Sequence, residues 1–312
     1  MGASSFVASA KGLSGQAVKA IWRQWAALGA ATTAEAGPCA TVDPEALVLA
    51  SLSFDQFDHR LVQLAHDWVV LNADVLSVQR MRNLAASFPE HTREALGELA
   101  RLAVTDAKDA RWRVLAAEER MSPSKPTRRR VHVSRAPVTG ASLVVRLRLA
   151  FGVGVKADLL AFLLGRAPGS WESVRAIARA TSYSAAAARR GADALAQARV
   201  IQRRDTGEFE YSIDHDTWRS LFAPAVQPPP WRDWSNRFAF AAALQTLADR
   251  SADPETSEHV MSMRVGELLA KDWRDLTESA LADGVDRGTL AEQRDSLARI
   301  ADRLAVAFAN EV

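Results

Sequence analysis

At 312 residues the chain exceeds the size that one hydrophobic core usually organises, about 250 to 300 residues, so more than one domain is expected. Its 48% hydrophobic and 24% charged content excludes a disordered chain. Its apolar runs fall short of the roughly 20 residues that cross a bilayer, and the longest candidate, 143–164, is broken by Arg146, Arg148, Lys156 and Asp158.

The single cysteine, Cys39, excludes an internal disulfide, and the small, polar N-terminus is not patterned as a signal peptide, so a cytoplasmic protein is expected. The formal charge of +2 is unevenly spread. Between Lys125 and Tyr211 there are sixteen Lys and Arg against six Asp and Glu, a net of +10, which leaves −8 for the remainder. A basic segment within an acidic chain is the electrostatic footprint of contact with a polyanion.

In chain order, Val18, Ile21, Trp22, Trp25 and Leu28 recur at spacings of three and four and predict an apolar helical stripe. Residues 32–43 read as a loop, with Asp43 and Pro44 as the N-cap and first residue of a helix over 45–54. Helices follow over 59–71 and 77–88, with Asp74 and Ser77 as candidate caps, and over 92–119, carrying Leu96, Leu99, Leu102, Trp112 and Leu115. Two accounts of the first three remain open. They form a degenerate second helix-turn-helix presenting Ser77, Gln79, Arg80 and Arg82, or a plain bundle in which those residues face water; the bundle is favoured because no two-stranded hairpin follows.

Residues 122–141 turn to Ser, Pro, Lys and Arg and read as a linker whose Lys125, Arg128, Arg129 and Arg130 resemble basic arms that lie along phosphates or in a minor groove. A helix over 143–151 follows, with Leu143, Val144, Leu147, Ala150 and Phe151 on one face and Arg146 and Arg148 off it, available to a polyanion. Gly152-Val153-Gly154 lacks the third glycine and preceding strand of a nucleotide-binding turn.

The next helix is strongly apolar (Leu159, Leu160, Phe162, Leu163) and is broken at 165–169. Ser170 is placed as the cap of a helix through Thr181 with Glu172 in its first turn, and Val174, Ile177 and Ala178 inward. Thr181 to Ser184 form a turn, and Ser184 caps a third helix. On it Ala188, Ala192 and Leu195 pack inward while Arg190 projects opposite and Arg189 a quarter turn away. Small Ala185, Ala186 and Ala187 let its first turns approach a groove closely, beside Tyr183 and Ser184. Val200 and Ile201 then begin a strand. Arg203 and Arg204 lead into Asp205-Thr206-Gly207, and Phe209, Tyr211 and Ile213 alternate on the return, the period-two signal of a hairpin.

These residues, over about 143–222, resemble winged helix-turn-helix transcriptional regulators of the broad MarR and ArsR type, on the stretch SVRAIARATSYSAAAARRGADALAQARVIQRRDTGEFEYSI. The resemblance implies a recognition helix in the major groove of double-stranded DNA and a basic hairpin, the wing, on phosphate. Gly191 and the many alanines of the third helix depart from the pattern and make phosphate contact better supported than base reading.

After this segment, Trp218, Leu221 and Phe222 read as a cap, and Pro228 to Pro230 as a stiff connector to docking residues Trp231 and Trp234. Helices follow over 236–249, 258–281 and 289–310. In the last, Leu290, Leu297 and Leu304 stand seven apart beside Ile300 and Phe308, a dimer seam or one helix of a monomer's core.

The expected architecture is thus mainly α: a helical N-terminal domain (1–121), the linker (122–141), a central winged helix-turn-helix with a small β-hairpin (142–222) and a helical C-terminal region (223–312). Arg-over-Lys and Ala-rich usage is the bias of a GC-rich bacterial genome. A DNA-binding regulator acting as a homodimer is expected, with room for a small-molecule effector; the alternative is an adaptor or antitoxin-like protein that binds a protein partner. His59 near Asp55 and Asp58, and His215 between Asp214 and Asp216, lack metal-site spacing, so neither a metal, another cofactor nor an enzyme is expected.

Overall fold

The computed structural model describes residues 2–32, 40–117, 140–222, 227–251, 257–270 and 289–310. The basic run Arg128, Arg129 and Arg130, like Cys39, lies outside them. The described chain is mainly helical with one small three-stranded antiparallel sheet. None of its helices is long and apolar enough to cross a membrane.

The first helix, α1 (Gly2–Ala27), is longer than its sequence stripe because the apolar period continues toward the N-terminus: Phe6, Ala10, Leu13, Ala17, Ile21 and Trp25 are all fully buried. Helix α2 (Pro44–Ser53) begins as its sequence predicts, with the Asp43 carboxylate accepting from the Ala46 amide at 3.1 Å. Helix α3 (Arg60–Asn72) and helix α4 (Val78–Ala85) follow, the latter capped by Ser77 Oγ on the Arg80 amide.

The helix expected over 92–119 is two. Helix α5 (Glu90–Thr105) stops, Lys108 turns to φ 59°, and Asp109 caps a short 3-10 turn leading into α6 (Arg113–Ala117). Helix α7 (Leu143–Phe151) and helix α8 (Val155–Leu164) come next, joined through Gly152 and Gly154, whose φ values of 81° and 158° favour glycine.

The sheet contains a strand that sequence periodicity missed. Strand β1 (Glu172–Ser173) pairs with β3 (Phe209–Ser212), which pairs in turn with β2 (Gln202–Asp205); Glu172 lies opposite Tyr211, and Arg203 lies opposite Tyr211 on the other edge. Helices α9 (Val174–Thr181) and α10 (Ala185–Gln197) lie between β1 and β2 in sequence.

Two apolar cores result. One gathers α7, α8, α9, α10 and the sheet around Leu147, Leu160, Ile177, Ala192 and Tyr211. The other joins α1 to α5 with the later helices α11 (Trp234–Ser251), α12 (Glu258–Ala270) and α13 (Leu290–Asn310). The leucine stripe of α13 is used here: Leu297, Leu304 and Phe308 are buried in this core, which leaves them no role as an intermolecular seam.

Two tryptophans three residues apart tie the cores together. Trp231 packs edge-on to Phe162 in the first, with ring centroids 5.7 Å apart. Trp234 stacks on Phe238 and Phe308 in the second and donates to the Thr41 carbonyl at 2.9 Å. Gly165 makes the first docking possible, since a Cβ there would stand 2.6 Å from the Trp231 backbone nitrogen.

Candidate nucleic-acid interface

The geometry of α9 and α10 follows from three local devices. Ser173 Oγ caps α9 by accepting from the Ala176 amide at 3.2 Å. Ser182 ends α9 in the left-handed region at φ 57°, which reverses the chain in two residues. Ser184 Oγ then caps α10 on the Ala187 amide at 3.2 Å. The expected cap at Ser170 is corrected: Glu172 is spent on the sheet and lies outside the helix, so the cap moves three residues on.

The inward face of α10 is Ala188, Gly191, Ala192 and Leu195. Gly191 is a packing requirement, because a Cβ there would stand 2.9 Å from Val155 Cγ1 on α8. The outward face is Ser184, Ala185, Ala186, Arg189 and Arg190, all exposed. The Arg190 guanidinium makes no ion pair or hydrogen bond to any described residue.

The exposed arginines Arg189, Arg203 and Arg204 are partly engaged within the chain. Arg189 lies 3.8 Å from Asp193 and over the Phe209 ring, at 4.9 Å from its centroid. Arg203 covers the same ring and bonds Asp193 at 3.2 Å. Arg204 pairs with Glu210 at 2.8 Å and lies over Trp171. Each has roughly half its side chain in solvent, so these pairs are weak and can open to a stronger anion. At the hairpin tip Gly207 takes φ 97° and donates its amide to Asp205.

Two expected contact residues are elsewhere. Arg148 is 2% exposed and faces inward, so it is not available to a surface ligand. Helix α7 is a wall between two cores: Leu143, Val144 and Leu147 face one, and Val145, with Arg148 beside it, faces the other. The Arg148 guanidinium donates to Glu45 and Asp158 and to the Val75 carbonyl. Tyr183 is also turned inward, its hydroxyl donating to Asp158 Oδ2 at 3.0 Å and standing 3.2 Å from Ser77 Oγ. Arg146 is half-buried and has partners of its own.

Arg80, expected on a water-facing surface, completes this buried cluster. It is 1% exposed, grips Asp43 with two nitrogens, reaches Glu45, and donates Nε to the Thr181 carbonyl at 2.8 Å. The cluster therefore clamps the turn between α9 and α10 onto α2, α4 and α7. Burial alone would push the Arg80 guanidinium down; Asp43, Glu45 and Asp158 outweigh it and hold the group above its usual range. Burial likewise raises Asp43, but the charge and hydrogen bonds of Arg80 bring its carboxyl below the ordinary value. Burial and the neighbouring Asp158 push the Tyr183 hydroxyl up, so it stays a donor.

The sequence contained a signal for these residues that the helical reading passed over. Ser77, Arg80, Met81 and Leu84 share the buried stripe of α4, and Asp158 sits within the apolar run of α8. A charge on a core-facing stripe is almost never buried without a partner. Among the described residues no group of three His, Cys, Asp or Glu is placed to hold a metal ion. No family model, curated protein or solved structure matches this chain.

Proposed function

We propose that residues 142–222 form a winged helix-turn-helix through which the chain grips duplex DNA as a transcriptional regulator. In this reading α10 is the recognition helix and the β2–β3 hairpin the wing. The observation that carries it is the exposed face of α10, where Ala185 and Ala186 leave room for close approach and Arg189 and Arg190 stand one turn further on, flanked by Arg203 and Arg204 of the hairpin. Arginine on such a face reaches guanine edges bidentately or phosphates singly. The alternation of α9, a two-residue reversal, α10 and a hairpin whose return strand pairs with β1 supports the same reading.

Dimerisation belongs to the proposal, because two copies would double a short contact surface and read a symmetric site. The buried use of Leu297 and Leu304 means that another surface would supply the seam.

The test is titration of the full chain into labelled duplexes, including DNA upstream of its own gene, across a salt series. Binding whose logarithm falls linearly with the logarithm of salt, steepened by each neutralised phosphate, is expected. Absence of binding at low salt would sink the reading. A protein-binding adaptor is the second reading, favoured by the internal pairing of Arg189, Arg203 and Arg204 and by exposed Leu149 and Phe151, 65% and 48% open, on the end of α7. A stoichiometric protein partner co-purifying with a chain that ignores DNA would establish it instead.

A further inference from the structure

We infer that helix α4 of the N-terminal region extends the DNA-contacting surface, its exposed stripe of Gln79, Arg82 and Asn83 lying along the phosphate strand that borders the groove entered by α10. This rests on the winged-helix reading above and adds a second element to it from outside the central segment.

Helix α4 divides cleanly into two faces. Ser77, Arg80, Met81 and Leu84 are buried, while Gln79, Arg82, Asn83 and Ala86 are exposed at the same spacings of three and four. The buried face is held by the charged cluster. The exposed face begins where the α9–α10 turn ends: Asn83 Nδ2, itself exposed, donates to the Ser182 carbonyl at 2.9 Å. Two residues beyond Ser182 the exposed N-terminal end of α10 starts with Ser184, Ala185 and Ala186. The stripe of α4 and the leading end of α10 are therefore one continuous surface.

The scale of DNA fits this juxtaposition. Asn83 touches the turn that leads directly into α10, and the major groove is about 12 Å wide. With α10 seated in the groove, a helix beside its leading end comes over the rim, where phosphates lie. Gln79 and Asn83 offer amide N–H donors and Arg82, exposed but with an interaction of its own within the chain, a guanidinium, the groups that phosphate oxygens accept from. Three contacts fix α4 to the turn: Arg80 on the Thr181 carbonyl, Asn83 on that of Ser182, and Ser77 on the Tyr183 hydroxyl. The second contact would thus be preorganised, with little ordering left to occur on binding. Being a phosphate contact it fixes register on the duplex and reads no bases.

The experiment uses the full chain and compares wild type, Arg82→Glu, Gln79→Ala/Arg82→Ala and Arg190→Ala for affinity across salt and for hydroxyl-radical protection of one duplex. The α4 variants are expected to weaken cognate and random duplexes alike at temperatures where each is folded, lower the salt slope by about one for the lost phosphate contact, and withdraw protection at one edge of the footprint; Arg82 has an interaction within the chain, whose loss the melting temperature reports separately. Gln79→Glu, an exposed near-isosteric change, serves should an Arg82 variant fail to fold, and should weaken binding in the same way. Unchanged affinity, slope and footprint in the α4 variants, with Arg190→Ala still weakening binding, overturns the role of α4 and leaves that of α10. A wild type that does not bind duplex DNA overturns both.

Discussion

Arg80 and Arg148 stand within a few residues' reach of the same turn as Arg189 and Arg190, yet the two pairs do opposite work. The first pair is fully buried, with Asp43, Glu45 and Asp158 as counterions and the Thr181 and Val75 carbonyls each accepting a further N–H. The second pair is in solvent, where Arg190 has no described partner and Arg189 only a loose one. Identical side chains thus serve as a clamp in one place and as available charge in the other. What separates them is desolvation: a buried guanidinium is tolerable only when its donors are matched, whereas an exposed one stays ready to meet an outside anion.

The comparison predicts its largest effect at the clamp. Arg148→Ala removes one of the two buried guanidiniums that Glu45 and Asp158 share and leaves them to Arg80, and removing one partner of a buried pair costs about 3 to 5 kcal/mol. Urea unfolding should show that loss, and a variant as stable as wild type would mean the cluster is not the clamp described. Asp43 adds a pH dependence. Its folded carboxyl is lowered from 3.8, so its stabilisation is complete above that value and is lost as pH falls through the lower folded value. Asp43→Asn keeps an N-cap side chain and should flatten the acid limb of a stability-versus-pH curve; an unaltered acid limb would assign that limb to other groups.

At the exposed pair the effect moves from folding to binding. Arg189→Ala/Arg190→Ala should lower duplex affinity by on the order of 2 to 6 kcal/mol if both read bases, and less if they touch only phosphate, while the melting temperature stays at the wild-type value. Equal loss of stability and binding would place these arginines with the clamp and erase the contrast.

How far each region was legible follows the same division. Asp43, Ser77 and Ser184 were readable as caps because a cap is decided by residues within three positions of it. The hairpin was readable because its strands alternate around Gly207. Arg148 was not, since Glu45 is 103 residues away and no local period records that partner. Leu147 and Arg148 are neighbours in sequence that look into different cores, so one apolar stripe could not describe α7. Strand β1 is two residues long and exists only through Tyr211 and Glu210, 37 to 39 positions later, which is why the sequence places the cap at Ser170 and the structure at Ser173. Tyr183, a surface candidate by its place in the turn, is drawn in by Asp158.

Tyr183 offers a smaller test of that inward assignment. Tyr183→Phe removes the donor to Asp158 and leaves a buried acceptor short of one partner, a loss of about 1 to 3 kcal/mol in stability. Its duplex affinity should match wild type below the unfolding transition. Weakened binding at full folding would return the hydroxyl to the DNA surface.

The smallest effect, and the one that probes the boundary between the two kinds of arginine, belongs to Asp193. It sits on α10 itself, accepts from Tyr211 at 2.7 Å, and holds Arg203 at 3.2 Å and Arg189 at 3.8 Å. All these groups except the tyrosine ring are substantially exposed, so each ion pair contributes under about 1 kcal/mol. Asp193→Asn keeps an acceptor for Tyr211 and removes the charge that competes with an external phosphate. Stability should change little, while duplex affinity should rise and its salt dependence steepen, since both arginines then meet the backbone without an internal rival. A fall in affinity would mean that Asp193 positions Arg189 and Arg203 for contact, placing the exposed arginines closer to the preorganised character of the buried pair than their solvent exposure implies.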